Sequence, residues 1–116
     1  MISPAYANSK VMRKFENVAI LNGYTYFFKP LDAIRVIEEA RTLGISVLGI
    51  DGAVINNYFT QPNLEHSIDY SDPNKSQPSD IYEHAIDFVR RRSNMDIYFE
   101  VVLDEPPVSD LPHLAR

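Results

Sequence analysis

Carboxylates and histidines that could act together fall in three places. Asp51 follows the apolar run Ile45-Ser-Val-Leu-Gly-Ile50, Glu65-His66 stands just before Asp69, and His84 precedes Asp87 by one helical turn. A carboxylate beside a histidine can move protons, and two carboxylates near a strand end can hold a divalent ion. The common metal-dependent nuclease pattern also needs a lysine two residues after its second carboxylate. Here Glu100 is followed by Val101-Val102 instead. A metal site requires three or four ligands with supporting hydrogen bonds, and neither histidine pair has a recognised ligand spacing, so no metal is expected. There is no Gly-x-Ser-x-Gly elbow, and the four glycines, at 23, 44, 49 and 52, form neither a dinucleotide nor a Walker loop. The chain has no cysteine, which excludes thiolate nucleophiles, disulfides and thiolate-held metals. No catalytic residue and no cofactor is assigned. One enzymatic or ligand-binding reading stays open, in which Asp51, His66 and Asp69 gather in a pocket at the strand end.

Charge is distributed unevenly. Residues 1–50 carry six Lys/Arg against four Asp/Glu, whereas residues 51–116 carry five against twelve. Between Asp51 and Asp87 lie seven carboxylates and one lysine, Lys75. Such a field attracts cations or a basic partner and repels a phosphate backbone, so direct nucleic-acid binding is not expected. A solvated acidic surface kept for solubility accounts for the same counts. Tyr58, Phe59, Tyr70 and Tyr82 lie in or beside this region. Aromatics rimmed by carboxylates suit a protein-binding surface, although tyrosines that simply cover a sheet give the same composition.

The elements that must position these groups can be read from period and punctuation. At 116 residues, 45% of them hydrophobic and 23% charged, the chain suits one globular domain. No apolar run approaches the roughly 20 residues of a membrane span, and Met1–Lys10 lacks the basic start and apolar core of a secretory signal, so a cytoplasmic protein is expected. Ser9–Asn22 reads as an amphipathic helix capped by Ser9 and ended by Gly23. The rival reading is a hairpin turned by Asn22-Gly23, because Ile20 and Leu21 miss the helix face. Pro30 to Leu43 is a helix with proline in its first turn, Asp32 beside it, and Gly44 closing it. Ile45–Ile50 is a strand apolar on both faces, continuing to Asn56 unless Asp51-Gly52 turns it; an exposed second face would signal a homodimer.

Residues 57–79, with three prolines and little periodicity, read as loop apart from a short strand around Ser67–Tyr70, and loops of that length are often functional. Asp80 and Glu83 have capping-box spacing at the head of a third helix, with Ile81, Tyr82, Ala85, Ile86 and Val89 as its stripe. Arg90-Arg91-Arg92 ends it, as the helix dipole favours. Asp96–Leu103 alternates, with Ile97, Phe99, Val101 and Leu103 on one face and Tyr98, Glu100 and Val102 on the other. The expected fold is α+β, or α/β, with three helices on a small mixed sheet in one domain over residues 1–103, followed by a proline-rich extension over 104–116.

The order of these elements resembles a known family. The helix Pro30-Leu-Asp-Ala-Ile-Arg-Val-Ile-Glu-Glu-Ala, the strand segment Leu43-Gly-Ile-Ser-Val-Leu-Gly-Ile-Asp-Gly, the loop segment Asn63-Leu-Glu and the helix Ser79-Asp-Ile-Tyr-Glu-His-Ala-Ile-Asp-Phe-Val together look like the bacterial immunity proteins catalogued as immunity protein forty. The likeness covers residues 23–103. Ile50 stands where that family's strand has a second glycine, and Leu64 where its loop has tryptophan. The resemblance implies a small antidote that catalyses nothing and blocks a toxin delivered by a neighbouring bacterium. A toxin with a basic cleft, as nucleases have, would meet acidic and aromatic contacts from Asp51, Tyr58, Glu65, Asp69, Tyr70 and Asp72.

Overall fold

The computed structural model describes residues 9–23, 25–55 and 60–105. Helix α1 (Lys10–Phe15) is only six residues long. Ser9 caps it by accepting from the Met12 N–H at 3.0 Å, and Glu105, just after the last strand, holds the same end by accepting from the Ser9 hydroxyl and, at 2.6 Å, from the Lys10 N–H. Carbonyl oxygens of Phe15 and Glu16 then take the N–H groups of Val18 and Ala19, closing a turn. The expected helix to Asn22 is therefore corrected, and a hairpin stands there instead, with Asn22 in its strand rather than in the expected Asn22-Gly23 turn. Strand β1 (Ile20–Asn22) pairs antiparallel with β2 (Thr25–Phe27). Ile20 and Leu21 fit a strand where they misfit a helix face. Asn22 pairs with Thr25, so the two-residue loop begins at Gly23, whose φ of 64° only glycine adopts without strain.

Helix α2 (Pro30–Leu43) begins with proline, where a missing N–H costs nothing, and ends at Gly44 in the left-handed region. It buries Ala33, Ile34, Val36, Ile37 and Ala40, whereas Leu43 stays partly exposed. Helix α3 (Ile81–Arg90) is capped by Asp80, which accepts from the Glu83 N–H at 3.1 Å. The reciprocal half of the capping box is not used, because the Glu83 carboxylate lies toward Arg41 at 3.6 Å.

Strand β3 (Ser46–Ile55) is continuous through Asp51-Gly52 and is the centre of the sheet order β4-β3-β5, with β4 (Thr60–Asp69) and β5 (Tyr98–Asp104) beside it. Every strand pairing described is antiparallel, which corrects the expected mixed sheet and favours the α+β reading. A bulge at Leu48 turns both Val47 and Ile50 into the core although they are three apart, which explains a strand that reads apolar on both faces. No bare apolar patch is left by the strand's second set of residues, since Ile45 packs against the core and Leu48 is half-buried. Phe28 and Phe99 exchange two backbone hydrogen bonds of 2.8 Å and stitch the β1-β2 hairpin to β5.

Strand β4 is a third correction, since the sequence reads as mostly loop over 60–69. It is an edge strand, where Pro62 costs little, and a four-residue bulge hides its alternation. Both longer helices cover one face of the sheet, where α1, α2, α3 and the inward residues of β3 and β5 form the core. On β5 the predicted inward set holds, and Tyr98, Glu100 and Val102 lie on the opposite face.

Candidate functional site: an acidic cleft beside a pinned bulge

Register places the acidic groups. Asp51 sits in the middle of β3, not at its end, directly across from Glu100 on β5. On its other side, Gly49 pairs with Asp69 of β4, so Asp69 and Asp51 share a sheet face as diagonal neighbours. Between the pairs Ile50–Ile68 and Gly52–Asn63, the four residues Leu64–Ser67 stand opposite Asp51 alone. This excursion is the bulge. Its Ser67 hydroxyl donates to the Asn63 carbonyl at 2.8 Å and accepts from the Gly52 N–H at 3.1 Å, while the Glu65 N–H bonds the Asn63 side chain at 3.0 Å.

Gly52 makes the bulge sterically feasible. A Cβ there would lie 2.4 Å from the His66 carbonyl oxygen and 2.8 Å from its Cβ. A glycine inside a strand signals such close approach, and the sequence carries that signal at Asp51-Gly52 beside the turn it also suggests.

Arg92 fixes the bulge from outside. Its Nε donates to His66 Nδ1 at 2.9 Å, Nη1 to the Phe88 carbonyl at 2.9 Å and Nη2 to the Glu65 carbonyl at 3.3 Å, and the guanidinium stacks 3.8 Å above the Phe88 ring. A guanidinium can only donate, so His66 accepts at Nδ1 and carries its proton on Nε2. The three-arginine run thus does more than the helix dipole required. Arg91 pairs with Asp87 at 2.8 Å in the expected local way, but Arg92 reaches 26 residues back along the chain. No local pattern reveals that contact.

A cleft of about 470 Å³ opens along the bulge, lined by Asp51, Leu64, Asp69, Tyr70, Lys75 and His84 among others. The Ser71 hydroxyl and then its backbone N–H hold Asp69 below the usual carboxylate range, with Lys75 adding to the effect. Partial burial, and then the Asp69 charge, push Asp51 up. The two carboxyls are therefore unequal. A group whose folded pKa is raised contributes stability below its unfolded value, 3.8 for Asp51, and loses it as pH rises through the folded value. Asp51→Asn is accordingly expected to be slightly more stable than the wild type at pH 7, with the gain vanishing in urea titrations below about pH 4.

Tyr70 is only 6% exposed, and burial pushes its hydroxyl up to about 12. The phenol oxygen and His84 Nδ1 share a hydrogen bond of 2.7 Å, with the two rings edge to face. The same sign rule makes Tyr70 a stabilising group below pH 10 whose contribution is lost as pH climbs toward 12. A spectrophotometric titration should show a late component near pH 12 that is absent in Tyr70→Phe.

The expected contact residues separate accordingly. Asp51, Glu65 and Asp69 are exposed around the cleft and bulge. Tyr70 is buried in the cleft wall, and half-buried Tyr82 donates to the Ile45 carbonyl at 2.8 Å, so both cover the sheet. Asp72 organises its own turn, accepting from the Asn74 N–H at 2.9 Å. Tyr58 and Phe59 lie outside the described residues. His66 is engaged by Arg92 rather than by Asp51 or Asp69, and His84 by Tyr70 rather than by Asp87. Among the described residues, no group of three or more His, Asp or Glu is placed to hold a metal ion, and no helix is long and apolar enough to cross a membrane. Neither a protein-family model nor a curated protein matches the sequence.

Proposed function

We propose that this chain is an immunity-type inhibitor that binds a basic surface of a bacterial toxin, a nuclease-type domain fitting best, and neutralises it in the cytoplasm without catalysing a reaction. One observation carries the reading. Along the edge strand β4, Asp51 and Asp69 stand in the wall of an open cleft and Glu65 is exposed on the adjoining bulge, while the nearby histidines are engaged by structural partners. Carboxylates spread over an open face suit capture of a basic protein by electrostatic steering. General acid–base chemistry would instead require Asp51, His66 and Asp69 within reach of one another. The element order that resembles immunity proteins supports the same conclusion.

Co-expression in a bacterium with the C-terminal domain encoded immediately upstream tests the proposal. Restored growth with a co-purifying complex is the expected result; toxicity without rescue overturns it. A second reading draws on the unequal pair Asp51 and Asp69 beside Tyr70 and His84 in one cleft, which suits a small cationic ligand.

A further inference from the structure

Leu64, at the head of the bulge, is 88% exposed, the most exposed of the large apolar side chains described. Single surface leucines are common and need no explanation when they ride on a flexible loop. This one is held out. The bulge interrupts the β3-β4 ladder, and it is braced by Asn63 and Ser67 from within, by the missing Cβ of Gly52 from below and by Arg92 from the side. The side chain is therefore preorganised in water, where it gains nothing from the fold.

Its surroundings give it a shape. Leu64 lines two hollows at once, the 470 Å³ cleft containing Asp69 and a smaller one of about 270 Å³ containing Phe27 and Glu100. Asp51 and Ser67 line both. Leu64 is thus a ridge between two depressions, each with carboxylates in its wall. Lys75, in the larger hollow, is the one cation among the described lining residues.

Resting on the immunity reading, we propose that this ridge is the anchor of the inhibitory interface and that its occupant is a protein surface with an apolar recess flanked on both sides by Lys or Arg. Leu64 fills the recess. The flanking cations descend into the hollows on either side, toward Asp51, which lines both, and Asp69. An apolar centre ringed by charge is the ordinary anatomy of a protein interface, and a braced anchor lowers the entropy lost on binding. A nucleic acid offers phosphates that these carboxylates repel, and a second copy of this chain would oppose like charges.

The test uses the full chain and the upstream-encoded C-terminal domain as the probe, with affinity measured by calorimetry at two salt concentrations. Leu64→Ser is expected to weaken binding at least about 30-fold. Its melting temperature should stay unchanged because the side chain is already in water, and Leu64→Met should retain most of the affinity. Binding of Leu64→Ser within threefold of wild type overturns the anchor and leaves the immunity reading standing. Absence of any complex with the wild-type chain overturns both. A wild-type dimer that Leu64→Ser dissolves also overturns the proposal, because the ridge then serves a second copy.

Discussion

Gly52→Ala is expected to lose about 3 kcal/mol of stability, an unusually large effect for adding one methyl group. The cause is space, since Gly52 does not have a positive φ. The new Cβ would lie 2.4 Å from the His66 carbonyl oxygen, a backbone atom that cannot swing aside as a flexible side chain can. Relief requires the bulge to lift. Lifting it strains the Gly52 N–H to Ser67 bond and the Arg92 Nε to His66 bond together, so the overpacking cost is joined by the loss of bonds inside a half-buried network. Gly49→Ala is the natural comparison, because its Cβ would meet the Ile68 carbonyl oxygen at 2.9 Å, also a backbone atom that must shift, but by less than at Gly52. Urea denaturation ranks the two, and amide shifts confined to 63–67 and to the Arg92 side chain locate the damage. A loss under about 0.5 kcal/mol would mean that the bulge is soft and that Leu64 is not braced.

The same bulge shows where sequence reading succeeds and where it stops. Helix α2 was legible because each end carries its own local chemistry: proline where an N–H has no partner, and glycine where the backbone turns left-handed. Strand β5 was legible because one face is buried and the other only half-buried, so alternation survives in the sequence. Strand β4 lacks both signals. Pro62 is tolerated because the strand lies at an edge, and four residues opposing one break the period of two on which the reading depends. At the site, charge counting found Asp51 and Asp69, since a local excess of carboxylates needs no tertiary information. The Arg92 contact was not legible because it spans 26 residues of chain, and neither was the exposure of Leu64, which only the folded register decides.

Phe99→Ala is the complementary experiment, with about 4 kcal/mol of stability expected to be lost. Phe99 is fully buried, as is Phe28, and the two residues make the backbone bridge that joins the hairpin to the sheet. On its other side Phe99 pairs with Gly52, so one residue ties hairpin, sheet and the strand beneath the bulge. Removing the ring leaves a cavity flanked by two elements that cannot both close on it, which places the cost in the upper half of the usual range for such truncations. Against a total of roughly 5–15 kcal/mol for a domain of this size, the variant should melt at least about 10 °C lower in thermal circular dichroism. The backbone bonds of 2.8 Å between Phe28 and Phe99 do not depend on either ring. Glu100 should therefore keep its place across from Asp51, and the fraction that remains folded should bind with nearly wild-type affinity at low temperature. Leu64→Ser is expected to do the reverse, sparing stability and removing affinity. If Phe99→Ala weakened binding as much as stability, the acidic face would be an adaptable surface shaped by its partner. The opposite pattern in the two variants would identify a rigid sheet that presents a contact its own fold does not use.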